Sequence, residues 1–574
     1  MGLKSVLSAL AMTILSLSAL AENEEEIILR VTGAARVEDV DQQEWDRLVQ
    51  ILHDPIEINR SGRDELLSSG LFTSFQIASL QDYILRHGPV MSFTELSLVD
   101  GFSSNCVECL RAFLSLATHD AGALPPSARG LKGECSARSA FKHDKERSGR
   151  WEYAMRGRLS IDAISLSFSC SREYDAQNFW PSLYSANLLW RHRSGTLIAG
   201  DFNARFGQGL CLWNTATFSS LSSPSYFMKR SSGLSPTFSF KGSTAYTGLA
   251  GDIASGRWKV SFMLHSPDLK KTGHPGWSFN LQPAVNLTRY FDCGHAGLTH
   301  VASFSDVVSA DFRIPVMKTS SDFAFCLSGV NLFGEVLYDW IAAKTCFLTG
   351  LEADVGENVC MASQIRYLPL SDEYGTSLSG ELTCRNHHAV FSADLLYHPS
   401  GKSLTQTKAI QCKFQATWKW KICDMLDSHV RLNERIRTWG CRCRTDARLD
   451  LALDLEPWTI NSRLNILNSR DWGYLAYLEG SYSIGKAFKA YLRQGIFFVD
   501  EWDDRIYVYE RDAPGNFNVP AFYGRGVWTS GYLTWRFHKS GNLCFRASYV
   551  SYILMSPGAK DDKLELKIQL SLHF

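Results

Sequence analysis

Beyond residue 21, the 574-residue chain has no run of about 18 apolar residues free of charge, which excludes a bundle of membrane-spanning helices. It also lacks G-x-S-x-G, H-E-x-x-H and G-x-x-x-x-G-K-[ST], the local frames of a nucleophile elbow, a zinc pair and a phosphate cradle. Gly207-Gln208-Gly209 misses the third glycine of a dinucleotide turn and opens no helix, so it reads as a strand-end turn. Net charge is absent as well, with 59 basic against 59 acidic residues. The fifteen cysteines are odd in number, mostly lone and scattered, which suits small packing residues better than a disulfide framework. Cys106-Val-Glu-Cys109 has no second pair and no βαβ context, and reads as two buried helix thiols one turn apart. His387 and His388 would point to opposite sides of a strand and cannot share one ion. No metal, no cofactor and no catalytic residue is expected.

What is present starts at the C-terminus. Leu564, Leu566, Ile568, Leu570, Leu572 and Phe574 alternate with Glu565, Lys567, Gln569, Ser571 and His573. A strand has period two, so this segment divides an apolar medium from a polar one along its whole length. Crossing a bilayer with a tilted strand takes about 9 to 11 residues, which it supplies. Such an apolar edge invites aggregation unless a closed barrel pairs it; the last strand of a soluble β-sandwich is the alternative. The ending resembles the terminal strand of bacterial outer-membrane barrels, which commonly finish on an aromatic residue. That resemblance makes Phe574 the expected barrel-terminal signal, with the barrel-assembly machinery and outer-membrane lipid as expected partners.

Residues 1–21 carry basic Lys4, an apolar run from Val6 to Leu20 and the small-x-small site Ala19-Leu20-Ala21, and read as a cleaved signal peptide. Residues 22–40 follow as an acidic segment with six acids and two bases, and residues 41–115 hold eleven acids against five bases. In 41–115 the pattern is helical: apolar spacing over Glu44–Leu52 stopped by Asp54-Pro55, turns at Gly70 and Gly101, and a helix from Ser74 to His87 ended by Gly88-Pro89. A helix, a tight glycine turn and a helix occur twice.

On Ile56-Glu-Ile-Asn59 with Glu65-Leu66, then His87-Gly88-Pro89 with Phe93, Glu95-Leu96 and Val99-Asp-Gly101, this stretch resembles the tandem helix-hairpin-helix module of bacterial competence DNA receptors. In DNA-binding members, a Gly-hydrophobic-Gly turn brings backbone N–H groups to a phosphate. Here the turns are Gly70-Leu71-Phe72 and Gly101-Phe102-Ser103, and both lose the second glycine. A side chain there crowds the backbone approach, and the acidic balance repels a polyanion. DNA is therefore disfavoured, and a protein-docking role is expected. Leu71, Phe72 and Phe102 are its contact candidates as greasy turn residues, with packing of the two turns against each other left open.

Residues 116–136, broken by Pro125-Pro126, read as a linker, and 137–574 as the barrel. Strand-like runs recur from Glu152–Ile161 to Leu543–Tyr552. In one of them Leu449, Leu451, Leu453 and Leu455 oppose Arg448, Asp450, Asp454 and Glu456, which suits a polar lumen. The expected fold is an all-β transmembrane barrel of about 18–24 antiparallel strands, an even count, preceded by a small all-α helix-hairpin-helix domain. Ala199–Leu210 and Arg505–Asp512 with Gly524-Arg-Gly526 resemble segments of bacterial outer-membrane proteins that place such a unit before a large barrel. The expectation is a non-catalytic outer-membrane barrel, a pore or an assembly or secretion platform. Its tethered module would dock a periplasmic protein at the barrel mouth. The alternatives are a DNA-uptake receptor, binding through Gly70, Gly101, Arg60 and Arg63, and an outer-membrane hydrolase whose site is assembled from separate strands.

Overall fold

The computed structural model describes residues 24–32, 34, 37–40, 42–116, 131–144, 149–161, 163–176, 178–192, 194–214, 223–240, 245–270, 280–305, 313–356, 358–398, 408–440, 443–485, 487–552 and 562–574. The signal-peptide reading of 1–21 and most of the 116–136 linker lie outside them. Among the described residues, 24 antiparallel strands between Lys132 and His573 close into one barrel. A further short strand, Gly233–Pro236, adds to the end of Gly195–Arg205. The wall begins at Lys132, ahead of the residue 137 boundary expected from sequence.

The alternation of the last strand explains the closure. Lys563–His573 pairs with Lys132–Asp144, with Ile568 opposite Ser139. Phe574 and Gly133 then exchange backbone hydrogen bonds of 2.9 and 2.7 Å. Leu570 and Leu572 face outward and exposed while Gln569 and Ser571 are buried on the lumen side. That arrangement is the one a membrane demands, since a closed ladder leaves no unpaired edge in lipid.

The barrel has two unlike ends. At one, turns are a few residues long, as between Tyr246–Ser255 and Trp258–His265 or between Ala409–Cys423 and Leu426–Arg437. At the other lie the long connections 206–245 and 500–523. The described parts of both connections reach inward: Tyr226, Tyr509, Phe517 and Val519 pack against the core of the helical module.

That module comprises Glu24–Thr32, Gln42–His53, Arg63–Ser69, Ser74–His87, Phe93–Leu96 and Ser104–Leu110. A parallel pairing of Ile56–Glu57 with Leu114–Ser115 ties the start of the two-hairpin stretch to its end. Two expectations are corrected here. Ile28, Val31, Val37 and Val40 share one buried core with Leu48, Leu66, Leu80 and Phe113, so residues 24–40 belong to the module and are no separate acidic segment. The module also does not hang below the barrel on a tether: it sits against the lumenal wall and the two inward loops, because its apolar core and its acids are completed there.

Candidate functional site

The two glycine turns are built alike. Helix Arg63–Ser69 ends at Gly70, in the left-handed region at φ 65°, and Thr73 then caps Ser74–His87. Thr73 Oγ1 accepts from Gln76 N while Gln76 Oε1 accepts from Thr73 N, a complete capping box. In the second turn Gly101 stands at φ 84°, and Ser103 caps Ser104–Leu110 by accepting from Cys106 N. The halves are locked together by Asn59, which donates to Val90 O at 3.0 Å and accepts from Val90 N at 2.8 Å. Gln76 Nε2 adds a bond to Gly101 O at 2.8 Å.

The greasy turn residues are inside. Leu71, Phe72 and Phe102 are each 2% exposed, and the Phe72 and Phe102 rings meet at 6.1 Å. Their expected role as surface contacts gives way to packing between the turns, since burying two phenyl rings against each other removes more apolar area from water than presenting them. Gly70 is likewise buried, its open side filled by the Arg47 guanidinium. The backbone approach required by the DNA-uptake alternative is therefore closed at the first turn. Arg60 stays exposed and pairs with Glu57 at 3.0 Å. Arg63 donates to Gly256 O at 3.1 Å and lies over the Tyr290 ring at 5.2 Å, so it anchors the module to a short turn of the wall.

Polar contacts seat the module at two depths. At the short-turn end Asp64 meets Lys259 at 2.9 Å, and Lys259 meets Asp252 at 3.2 Å. There too Ser74 Oγ lies 2.8 Å from His295 Nδ1. Deeper in, Glu38 accepts from Tyr509 N at 3.0 Å and faces Arg463 at 3.5 Å and Arg448 at 4.0 Å. Glu25 meets Arg511 at 2.5 Å, and Arg511 also reaches Glu479 at 3.3 Å. Burial raises the Glu25 carboxyl above its usual range even with Arg511 beside it. The loop carrying Tyr509 and Arg511 is pinned to the wall by Glu510 on Arg546 and by Asp512 on Lys567 at 2.7 Å. Asn516 on Gln569, at 2.7 Å, holds the same loop. Glu335 holds the other inward loop by accepting from Gln208 N at 2.8 Å and Leu210 N at 2.9 Å.

Glu25, Glu38 and Arg511 were not singled out from sequence. The run Arg505–Asp512 was the one available signal, because polar residues so dense in a long connection have no partner unless the connection folds inward. Cys346 and Cys544 are buried packing groups, whereas Cys384, Cys423 and Cys443 are exposed, against the packing role expected of them. Burial pushes the Cys106 thiol up and the Cys109 thiol up to about 12, away from reactive thiolate character. His388 turns to Glu381 at 2.9 Å while His387 lies beside Trp418.

One part of the module leaves the wall. Helix Ser74–His87 starts buried against His295 and grows exposed toward its C-terminal end, where Leu85 is 85% exposed. Met91 and Leu98, in the next connection and just after helix Phe93–Leu96, are 65% and 77% exposed. Three large apolar side chains thus face away from both the module core and the barrel.

No family model and no curated protein matches this chain. Among solved structures it is similar to the P pilus usher (PapC) translocation pore, at 9% identity over 77% of this chain and 99% of that one, with a TM-score of 0.38. It is also similar to the siderophore receptor PirA from Pseudomonas aeruginosa, at 7% identity over 77% and 80% of the two chains, with a TM-score of 0.39. The copper transporter OprC aligns at 7% identity over 77% and 80%, with a TM-score of 0.41.

Proposed function

We propose that this protein is a non-catalytic outer-membrane barrel, a plugged pore or assembly platform, whose helical module docks a periplasmic protein partner. Short turns mark the periplasmic side of bacterial outer-membrane barrels and long loops the outer side. With that orientation the module enters the lumen from the periplasm, and its unburied end is presented there. The observation that carries the reading is the exposure of Leu85, Met91 and Leu98 on a module whose other large apolar residues are almost all packed. A contiguous patch of apolar groups left in water marks a binding face.

The test is photo-crosslinking in living cells from probes placed at positions 85, 91 and 98. A discrete protein adduct from at least two of the three, absent from a probe at the lumenal position 72, is the expected result. Adducts from none of the three would count against docking at this face.

A further inference from the structure

Wall cysteines mostly stand opposite something else. On the paired strands Cys170 faces Met155 and Tyr184, Cys412 faces Leu395 and Ile436, and Cys544 faces Thr534 and Gln569. One place differs. The ladder between Gly294–Ser305 and Arg313–Leu327 runs out at Gly294 opposite Phe325, and one step further Cys326 N donates to Cys293 O at 2.7 Å. Cys293 and Cys326 are therefore directly opposite each other across neighbouring strands, although a whole strand and its loop separate them in sequence.

A hydrogen-bonded antiparallel pair holds its Cα atoms about 5.5 Å apart, inside the range of about 4.4–6.8 Å that a disulfide spans. Directly opposite Cβ atoms lie about 4.5–5.5 Å apart against about 3.5–4.5 Å in a disulfide, so closure asks for an approach on the order of 1 Å. Cys293 has the freedom to make it, because it sits in the tight turn Asp292-Cys293 that joins Gln282–Phe291 to Gly294–Ser305 and not inside a strand. Neither cysteine is buried, so an oxidant can reach them. Both lie at the short-turn end of the barrel, which the orientation given above, on which this inference rests, places in the periplasm. That compartment oxidises thiols.

We propose that Cys293 and Cys326 form a disulfide in the folded protein in its membrane. The oxidant is a protein disulfide of the periplasm. One cysteine thiolate attacks it and displaces one donor thiolate, giving a mixed disulfide; the second cysteine thiolate then attacks that bond and releases the donor's other sulfur. Two protons and two electrons leave the cysteine pair, and the donor disulfide becomes two thiols. The new bond staples the Asp292-Cys293 turn to the end of Arg313–Leu327. Helix Ser74–His87 packs against these same strands, and its Ser74 holds His295, close beyond Cys293. The staple thus braces the wall beneath the helix that carries Leu85.

Full-length protein extracted from isolated membranes in the presence of N-ethylmaleimide, digested without reductant and analysed by mass spectrometry, tests it. A linked peptide pair holding Cys293 and Cys326, lighter than the two thiol peptides by two hydrogens, is the expected result. Cys326→Ser should lose that pair and leave Cys293 labelled by the maleimide. Reductant should speed amide hydrogen exchange over residues 291–296 in the wild type and leave it unchanged in Cys326→Ser. Maleimide on both cysteines of the wild type, or a bond from either to another cysteine, would overturn the proposal. Oxidised glutathione added to the purified protein then separates the premises: closure of this pair faults the periplasmic orientation, and failure to close faults the pairing geometry. Heat-dependent gel migration of the variant checks that the barrel is folded.

Discussion

The two glycine turns of the module have nearly the same local sequence and opposite fates. Gly70-Leu71-Phe72 is driven into the lumen beside a polar cavity, while Gly101-Phe102-Ser103 keeps its glycine and serine exposed and buries only its ring. Both glycines hold left-handed φ values, 65° and 84°, so backbone geometry does not tell them apart. Their neighbours do. A Cβ on Gly70 would meet the guanidinium tip of Arg47, whereas one on Gly101 would press on the Phe75 ring, at 2.8 Å from Cε1. One motif thus serves as a wedge against the wall in its first copy and as a support for an exposed face in its second. The difference lies in what surrounds each turn.

The comparison breaks hardest if the first half can be unseated while the second still folds. Glu38 has a side chain 5% exposed beneath Arg448 and Arg463. Truncating one partner of such a buried charge network costs about 3 kcal/mol. Glu38→Ala should therefore loosen the plug, read as higher conductance of the purified protein in planar bilayers; wild-type conductance would show that the other contacts suffice. Next in size, Gly101→Ala should cost about 2 kcal/mol from left-handed strain and the Phe75 contact. Gly70→Ala should cost nearer 1 kcal/mol because Arg47 can swing away. Denaturant unfolding followed at a probe in the module ranks the two, and the reverse order would mean that Arg47 is held more tightly than its neighbours suggest.

A pH effect should appear beside the first turn. Burial, set against the attraction of Glu335 and Glu44 and reinforced by Arg366 and Arg205, lowers Lys229 from its ordinary 10.5 to about 8. Between pH 8 and 10.5 the unfolded chain then holds more protons than the folded one, so this group makes stability rise with pH across that window. Lys229→Met should flatten the rise, measured as the unfolding midpoint at pH 7.5, 9 and 10. The smallest effect belongs to the second turn's face: Leu85→Glu and Leu98→Glu should move stability by under about 0.5 kcal/mol, since exposed sites tolerate exchange. The same changes should abolish the crosslinked adduct. A large stability loss instead would mean that these residues pack against something in the free protein.

Much of the architecture was legible in the chain because strand signals are local. Alternation over Leu564–Phe574 and over Ala447–Glu456 assigns each side chain to lipid or lumen by period two, whatever lies across the barrel. Gly70, Gly101 and the Asp54-Pro55 and Gly88-Pro89 breaks placed the turns and helix ends of the module for the same reason, since left-handed φ and a missing N–H are properties of single residues. The module's position was not legible. The greasy turns looked like exposed tips because a sequence shows apolarity but not what will cover it, and Phe72 is covered by Phe102 from thirty residues away. Glu38 is completed by Arg463 and by Tyr509 N, and Asp64 by Lys259. Such pairs are separated by hundreds of residues and meet only because the wall closes. Sequence by itself determined the strand alternation with its wet and dry faces, the two glycine turns and helix Ser74–His87, but not helix Glu24–Thr32. The tertiary structure decided that the helices fill the barrel, because burying an acidic surface is favourable only where the lumen supplies the matching cations.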